Sequence, residues 1–191
     1  MCGICGWIDR RSIVDAKSST LARMNAALTH RGPDDTGALI LGNAALAMSR
    51  LSVIDLTTGH QPIPNEDATC WIVYSGAIYN AQDLRQALEA KGHRFRTRSD
   101  TEAILHAYEE WGSDCVYHLR GMFAFAIYDC RTQTTHLWVT NGCRQLSFSR
   151  PRPRGQKAAL LSPQRRLSDL HLVSDVPLGA FLKGRSLVAA D

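Results

Sequence analysis

Met1-Cys2-Gly3-Ile4-Cys5-Gly6-Trp7-Ile8 opens the chain, and the rest of the reading works outward from it. From Cys2 to Ile8 the stretch is apolar and glycine-punctuated, the pattern of a buried strand beginning at the first residues. A cysteine in second position also has a chemical meaning. Removal of an initiator methionine is easy before a small residue, and the product carries a thiol and a free α-amine on one residue. An α-amine has an ordinary pKa near ~7.7–8.0 and a thiol near ~8.5, so the amine can take the thiol's proton, directly or through water, and leave a nucleophile. Gly3 and Gly6 let substrate and neighbouring backbone come close. Cys2 and Cys5 also spell C-x-x-C, a redox or metal spacing. On a strand, residues three apart face opposite sides, which works against a joint site, and no second C-x-x-C is present to complete a zinc site.

Downstream, Leu21, Met24 and Leu28 at helical spacing predict an amphipathic helix over Ser19 to Leu28. His30-Arg31-Gly32-Pro33-Asp34-Asp35 reads as a polar turn. Ala38–Leu41 and Ala44–Leu51 read as a strand pair around Gly42-Asn43. Thr69 to Tyr74 is rich in β-formers and runs into Ser75-Gly76. Asn80 stands where it can cap a helix that holds Leu84 and Leu88 and stops at Gly92. Ser99-Asp100-Thr101-Glu102 has the spacing of a capping box, opening a helix that ends near Gly112. Met122–Tyr128 and Thr135–Val139 predict a final hairpin. Strands in clusters with helices between them suggest two sheets face to face with helices outside. From Asn141 to Leu167 periodicity disappears, and the stretch reads as loop or disorder.

At 191 residues the chain can bury a real core, and 45% hydrophobic with 21% charged residues is ordinary for a globular protein. No apolar run approaches the ~18–20 residues of a spanning helix, and no secretory signal opens the chain. A cytoplasmic address, without a membrane partner, is the expectation. The six cysteines are then expected to be reduced, and most of them buried. The net charge of +4 comes from Arg144, Arg150, Arg152, Arg154, Lys157, Arg165 and Arg166. Such a stretch could displace counterions from phosphates, but no aromatic ladder or recognised motif accompanies it, so no nucleic-acid partner is expected.

Six segments, in order, resemble the N-terminal glutaminase domain of asparagine synthetases, a class II glutamine amidotransferase. They are Met1-Cys2-Gly3-Ile4, His30–Asp35, Arg50-Leu51-Ser52-Val53-Ile54-Asp55-Leu56, Tyr74-Ser75-Gly76-Ala77-Ile78-Tyr79-Asn80, Arg98-Ser99-Asp100-Thr101-Glu102 and Gly121-Met122-Phe123-Ala124-Phe125. The match runs over roughly residues 1–139. The resemblance implies an α+β, four-layer αββα N-terminal nucleophile (Ntn) hydrolase fold. It implies that Cys2 attacks the side-chain amide of glutamine and forms a thioester. Gly76 would offer its N–H to the oxyanion, assisted by the side chain of Ser75, and Arg50 would hold the substrate α-carboxylate through a bidentate guanidinium. Asp100 would pair with the α-ammonium. His30 and Arg31 would shape the pocket rim, without an acid–base role.

The sequence departs from that family at Ser75, where Asn is usual, and at Ala77, where a Glu usually helps hold the substrate ammonium. After Val139 the chain enters the basic stretch in place of further glutaminase core. Ser174-Asp175-Val176-Pro177-Leu178-Gly179-Ala180-Phe181-Leu182 then resembles the start of a synthetase domain, but Lys183-Gly184-Arg185-Ser186-Leu187 stands where the family has a Ser-Gly-Gly-x-Asp-Ser pyrophosphate loop. The expectation is therefore an amidotransferase domain over 1–140, a basic, disordered segment over 141–173 and a synthetase remnant over 174–191, the C-terminal part being truncated or rearranged. No cofactor is expected for the glutaminase step, and the synthetase half's ATP site is expected to be absent. Glutamine is the expected partner, with a separate synthetase subunit or a homodimer beside it. Two other readings stay open: a non-catalytic remnant that binds glutamine weakly or a partner protein, and a Cys-x-x-Cys redox or metal module.

Overall fold

The computed structural model describes residues 2–8, 18–52 and 59–140, together with three strands further on. In chain order the strands are β1 (Gly3–Ile8), β2 (Asp35–Leu41), β3 (Ala44–Arg50), β4 (Ile63–Pro64), β5 (Cys70–Ile78), β6 (Gly121–Asp129), β7 (Thr134–Val139), β8 (Leu146–Ser149), β9 (Lys157–Leu161) and β10 (Leu187–Val188). The helices are α1 (Ser18–Ala26), α2 (Ala81–Glu89) and α3 (Asp100–Trp111), with 3-10 turns at Thr29–Arg31 and Gly112–His118. One sheet runs β2-β3-β1-β9-β8 and the other β10-β7-β6-β5-β4.

Period-two alternation sorts the strand residues into three cores. On β1, Cys5 and Trp7 face α1 and pack with Leu21, Leu28, Ala45 and Ala47. The other face of this sheet carries Ile4, Ala44, Leu46 and Met48, which meet Val73, Ala124, Ala126 and Tyr128 of the second sheet. That sheet turns Ile72, Tyr74, Phe125 and Ile127 outward onto Leu84, Leu88, Ile104 and Leu105 of α2 and α3. The layers are thus helix, sheet, sheet and helices, the αββα order expected. Because both faces of each sheet are covered, its central strands read as continuous apolar runs. Among the described residues no helix is long and apolar enough to cross a membrane.

Two local expectations are corrected. Asn80 precedes α2 but makes no side-chain cap bond. Its amide reaches across the chain instead, Nδ2 donating to His118 O at 2.9 Å and Oδ1 accepting from Arg120 N at 2.8 Å. A side chain with both a donor and an acceptor fits that backbone segment better than it fits a single helix amide. At α3 only half of the capping box forms. Ser99 Oγ accepts from Thr101 N at 3.0 Å. The buried Glu102 carboxylate instead accepts from Arg96 N and Thr97 N, both at 2.7 Å, and from Thr97 Oγ1 at 2.6 Å. The chain entering α3 folds around this carboxylate, so it serves two orphan loop amides rather than the cap.

Within the stretch expected to be loop, β8 and β9 add to the first sheet, β9 pairing with β1 from Ile4↔Leu161 to Ile8↔Lys157. Ala158-Ala159-Leu160-Leu161 is apolar enough to lie on β1's second edge, where the backbone hydrogen-bonding groups of β1 need partners. β10 pairs with β7. The remaining residues of 141–191 lie outside the described part of the chain.

Burial alone would raise the Glu102 carboxyl, but the His106 imidazole 3.7 Å away and hydrogen bonds from Arg96 and Thr97 hold it down at about 2. Its stabilising effect is therefore present above the ordinary carboxyl range and lost as pH falls through the depressed value. Glu102→Gln is expected to lower unfolding free energy by about 1–3 kcal/mol at neutral pH. The difference from the parent should shrink as pH drops from 4.5 towards 2, as measured by urea unfolding across that range.

Candidate active site

Cys2 precedes β1 and packs on the same side of the sheet as Ile4, at the open end of the space between the sheets. Leu51, just past the end of β3, seats its sulfur. Leu51 N–H donates to Sγ at 3.4 Å, and Sγ lies 3.7 Å from Leu51 O. The register that delivers this contact pairs Gly3 with Ser49. Two donors hold the carbonyl of Cys2: Ser75 Oγ at 3.2 Å and Arg31 Nε at 3.5 Å.

The turn before β2 supports the same region. Gly32 lies so close to β3 that a Cβ there would run into Arg50 backbone and Ser49 O. Asp34 N donates to Arg50 O at 3.1 Å, and Asp34 Oδ2 accepts from Ser52 N at 2.8 Å. Asp35 pairs with His60 at 2.8 Å and stands 4.0 Å from Arg50 Nη1. Arg50 itself is only 7% exposed. His30 is turned to Ala27 O at 3.0 Å.

On the facing sheet, β5 carries the other candidates. Tyr74 N donates to Gln61 Oε1 at 2.7 Å, and Ile78 N donates to Asp100 Oδ2 at 3.1 Å. Strand alternation points Gly76 N–H to this same edge, between those two anchors. A Cβ on Gly76 would collide with Met122 O, so this close pairing of β5 with β6 admits only glycine. Asp100, the first residue of α3, also accepts the Tyr74 hydroxyl on Oδ2 at 2.6 Å. Burial, reinforced by Asp100, pushes the Tyr74 hydroxyl far up, so it stays protonated as a donor. Both bonds fall on one carboxylate oxygen, Oδ2. The helix N-terminus adds a favourable field for the negative charge.

Ser75 and Ala77 alternate to the face of β5 that looks towards Cys2, and Ala77 brings no charge there. The single hydroxyl proton of Ser75 lies on Cys2 O. Since Arg31 Nε also reaches that carbonyl, the hydroxyl can turn away without leaving it unpaired.

Cys5 is directed to the opposite face of β1, buried against α1, so Cys2 and Cys5 do not converge on a shared site. Burial pushes the Cys5, Cys70 and Cys115 thiols up to about 12, which removes them as nucleophiles near neutral pH. Cys2 is half-buried at the edge of the inter-sheet core, its sulfur against the Leu51 backbone. Met1 and residues 53–58, the end of the Arg50–Leu56 segment, lie outside the described residues.

Sequence reasoning did not single out Leu51 N–H, Gln61 or Tyr74 as parts of the site. Gln61 is buried and joins Tyr74 N to Thr101 Oγ1 at 3.2 Å. It lies in an aperiodic segment with no pattern to mark it. Tyr74 had a signal, an aromatic residue directly before Ser75-Gly76 on a strand, but its hydroxyl partner is 26 residues away in sequence.

Comparisons with known proteins give the family and the fold. The family of the glutamine amidotransferase domain matches residues 1–142. Asparagine synthetase [glutamine-hydrolyzing] 3 of Bacillus subtilis (strain 168) is 44% identical over 131 residues, covering 68% of this chain and 21% of that protein. Asparagine synthetase [glutamine-hydrolyzing] 1 of Arabidopsis thaliana is also 44% identical over 131 residues, covering 69% and 22%. The chain thus spans about a fifth of the length of these curated relatives. Among solved structures, the glutamine phosphoribosylpyrophosphate amidotransferase of B. subtilis superimposes with a TM-score of 0.64 at 20% identity, over 83% of this chain and 41% of that one. An allosteric regulatory enzyme of purine biosynthesis gives a TM-score of 0.68 at 19% identity, over 84% and 42%. These likenesses show the fold, an α+β Ntn hydrolase fold. By the match that spans residues 1–142, this chain belongs to the glutamine amidotransferase domain family.

Proposed function

We propose that the chain hydrolyses the side-chain amide of glutamine through Cys2, supplying ammonia for an asparagine-type amide synthesis. The observation that carries this reading is the seating of Cys2 Sγ on Leu51 N–H, opposite the β5 segment in which Ser75 holds the Cys2 carbonyl and Ile78 holds Asp100. With Met1 removed, the Cys2 α-amine takes the thiol proton and the thiolate attacks the amide carbon. Gly76 N–H and a rotated Ser75 hydroxyl receive the oxyanion; losing one such donor typically costs ~2.7–4 kcal/mol of transition-state stabilisation. The ammonium of the Cys2 amine returns the proton to the departing nitrogen, so ammonia leaves and a glutamyl thioester remains. Water then cleaves the thioester, and the balance is glutamine plus water to glutamate plus ammonia.

Substrate recognition divides between two charges. Arg50 takes the α-carboxylate, exchanging part of its pairing with Asp35, and Asp100 takes the α-ammonium through the oxygen that Tyr74 and Ile78 do not occupy. Ala77 contributes nothing to that ammonium. The step needs no cofactor. The cytoplasm, which keeps Cys2 reduced, is the fitting compartment. The ammonia acceptor is a synthetase site.

A second reading, a weak glutamine binder without turnover, draws on Ala77 and on the Ser75 proton held by Cys2 O. Ammonia release from glutamine by purified protein decides between the two, with mass spectrometry reporting whether Met1 is gone. Retained Met1 blocks the amine and defeats the hydrolytic mechanism. A glutamine-like chloroketone should label Cys2 once per chain and fail on Cys2→Ala, which should also lose ammonia release.

Ala77→Glu should lower KM for glutamine by about tenfold or more, the worth of a charge-assisted hydrogen bond; an unchanged KM in steady-state assays would mean that position 77 does not face the substrate. Tyr74→Phe frees Asp100 to swing and should raise KM about tenfold while kcat changes little, which separates loss of binding from loss of chemistry.

A further inference from the structure

The densest cluster of titratable side chains away from Cys2 lies where α3 meets residues 93–97. His106 is 1% exposed. Its Nδ1 lies 2.7 Å from Glu109 Oε2, and His93 Nδ1 lies 3.8 Å from the same oxygen. One ligand atom from each of His93, His106 and Glu109 can be chosen so that all lie within 4.8 Å of one another.

Each of these groups is also backed on its far side. His106 Nε2 stands 3.7 Å from Glu102 Oε1, short of a hydrogen bond and with no other hydrogen-bond partner. His93 Nε2 faces Glu110 Oε2 at 3.5 Å. Glu109 Oε1 accepts from Asn65 Nδ2 at 2.6 Å. The Phe95 ring meets the His106 imidazole edge-on at 4.6 Å and restrains its tilt.

We propose that His93, His106 and Glu109 form a binding site for a divalent cation of the zinc type, backed by Glu102, Glu110 and Asn65. Two imidazole nitrogens and one carboxylate oxygen suit a borderline ion such as Zn2+, with water in the fourth position. Ligating histidines characteristically direct their second nitrogen at a carboxylate, and ligating carboxylates are themselves hydrogen-bonded; His106–Glu102, His93–Glu110 and Glu109–Asn65 supply that pattern. Ligand bonds of ~2.0–2.1 Å in a tetrahedral site put ligand atoms about 3.3 Å apart. The His106–Glu109 contact would open by about half an ångström, and the widest separation in the trio, up to 4.8 Å, would close by about 1.5 Å through rotation of the partly exposed His93 side chain. The helical spacing of His106 and Glu109 sets them on one face, so the ion would clasp α3 to the segment bearing His93.

The competitor for this place is a proton. Burial opposes a charged His106, but Glu102 and Glu109 outweigh it and push the imidazole up to about 9. Glu66 Oε2, 3.7 Å from Nδ1, adds negative charge, while Lys91 neutralises part of Glu110. A doubly held imidazolium with no affinity for metal is therefore the alternative that the test must beat.

Untagged protein stripped with a chelator and passed through a desalting column after Zn2+ addition should retain one equivalent by plasma mass spectrometry. Co2+ should give tetrahedral visible bands without a thiolate charge-transfer band. His93→Ala, at a partly exposed position, should keep the circular dichroism of the parent and bind at least tenfold more weakly. Glu109→Gln should do the same, and Cys2→Ala should bind as the parent does. Absence of retained metal, retention undiminished in a folded His93→Ala, or a thiolate signature would each overturn the proposal.

Discussion

The placement of β1 between two strands is the constraint on which the candidate site around Cys2 depends. Both edges of β1 are hydrogen-bonded, to β3 on one side and to β9 on the other. Its alternation then decides which residues look at α1 and which look into the space between the sheets. Because strand side chains repeat every two residues, a slip of one residue would exchange the two sets. Cys2 would then face α1, where Cys5 now lies in a desolvating environment. The pairing of Gly3 with Ser49 thus decides which way the Cys2 sulfur points.

Most of this architecture was legible because its signals are local and repetitive. The apolar run at Cys2–Ile8, the Gly42-Asn43 turn and the β-rich segment before Ser75-Gly76 each carry their own period or punctuation. Helix ends were legible as positions and less so as interactions. Ser99 caps α3 as its type and place suggest, but Asn80 and Glu102 use their hydrogen bonds on segments brought near only by folding. Strand β9 was missed because four apolar residues sit in a stretch dominated by Arg, Pro and Ser, and composition hid them. Cys2, Arg50, Ser75, Gly76 and Asp100 were nameable as candidates through resemblance to a family; composition and periodicity point to none of them but Cys2. The supports at Leu51, Gln61 and Tyr74 are long-range and leave no trace in spacing.

The site anchors the carboxylates of Asp34 and Asp100 on neutral donors before any ligand arrives. Asp100 takes a hydroxyl and a backbone amide on one oxygen. Asp34 takes Ser52 N, and the Cys2 carbonyl takes Ser75 and Arg31. Groups held in this way lose little freedom when a ligand binds, which lowers the entropic cost of association. Ser75 and Ala77 share the face of β5 turned towards Cys2, where Ser75 alone brings a polar side chain.

Helix α3 carries Asp100 at its first turn and His106 further along, and the carboxylate of Glu102 locks the incoming chain between them. Each residue along an α-helix turns by about 100° and rises about 1.5 Å. Losing or gaining a single residue between positions 100 and 106 would swing one end's side chains roughly a quarter turn away from their neighbours. Substitutions can be absorbed in this segment one at a time, but its length is a fixed gauge: six steps separate the residue bonded to β5 from the one packed on the segment that bears His93 and Phe95.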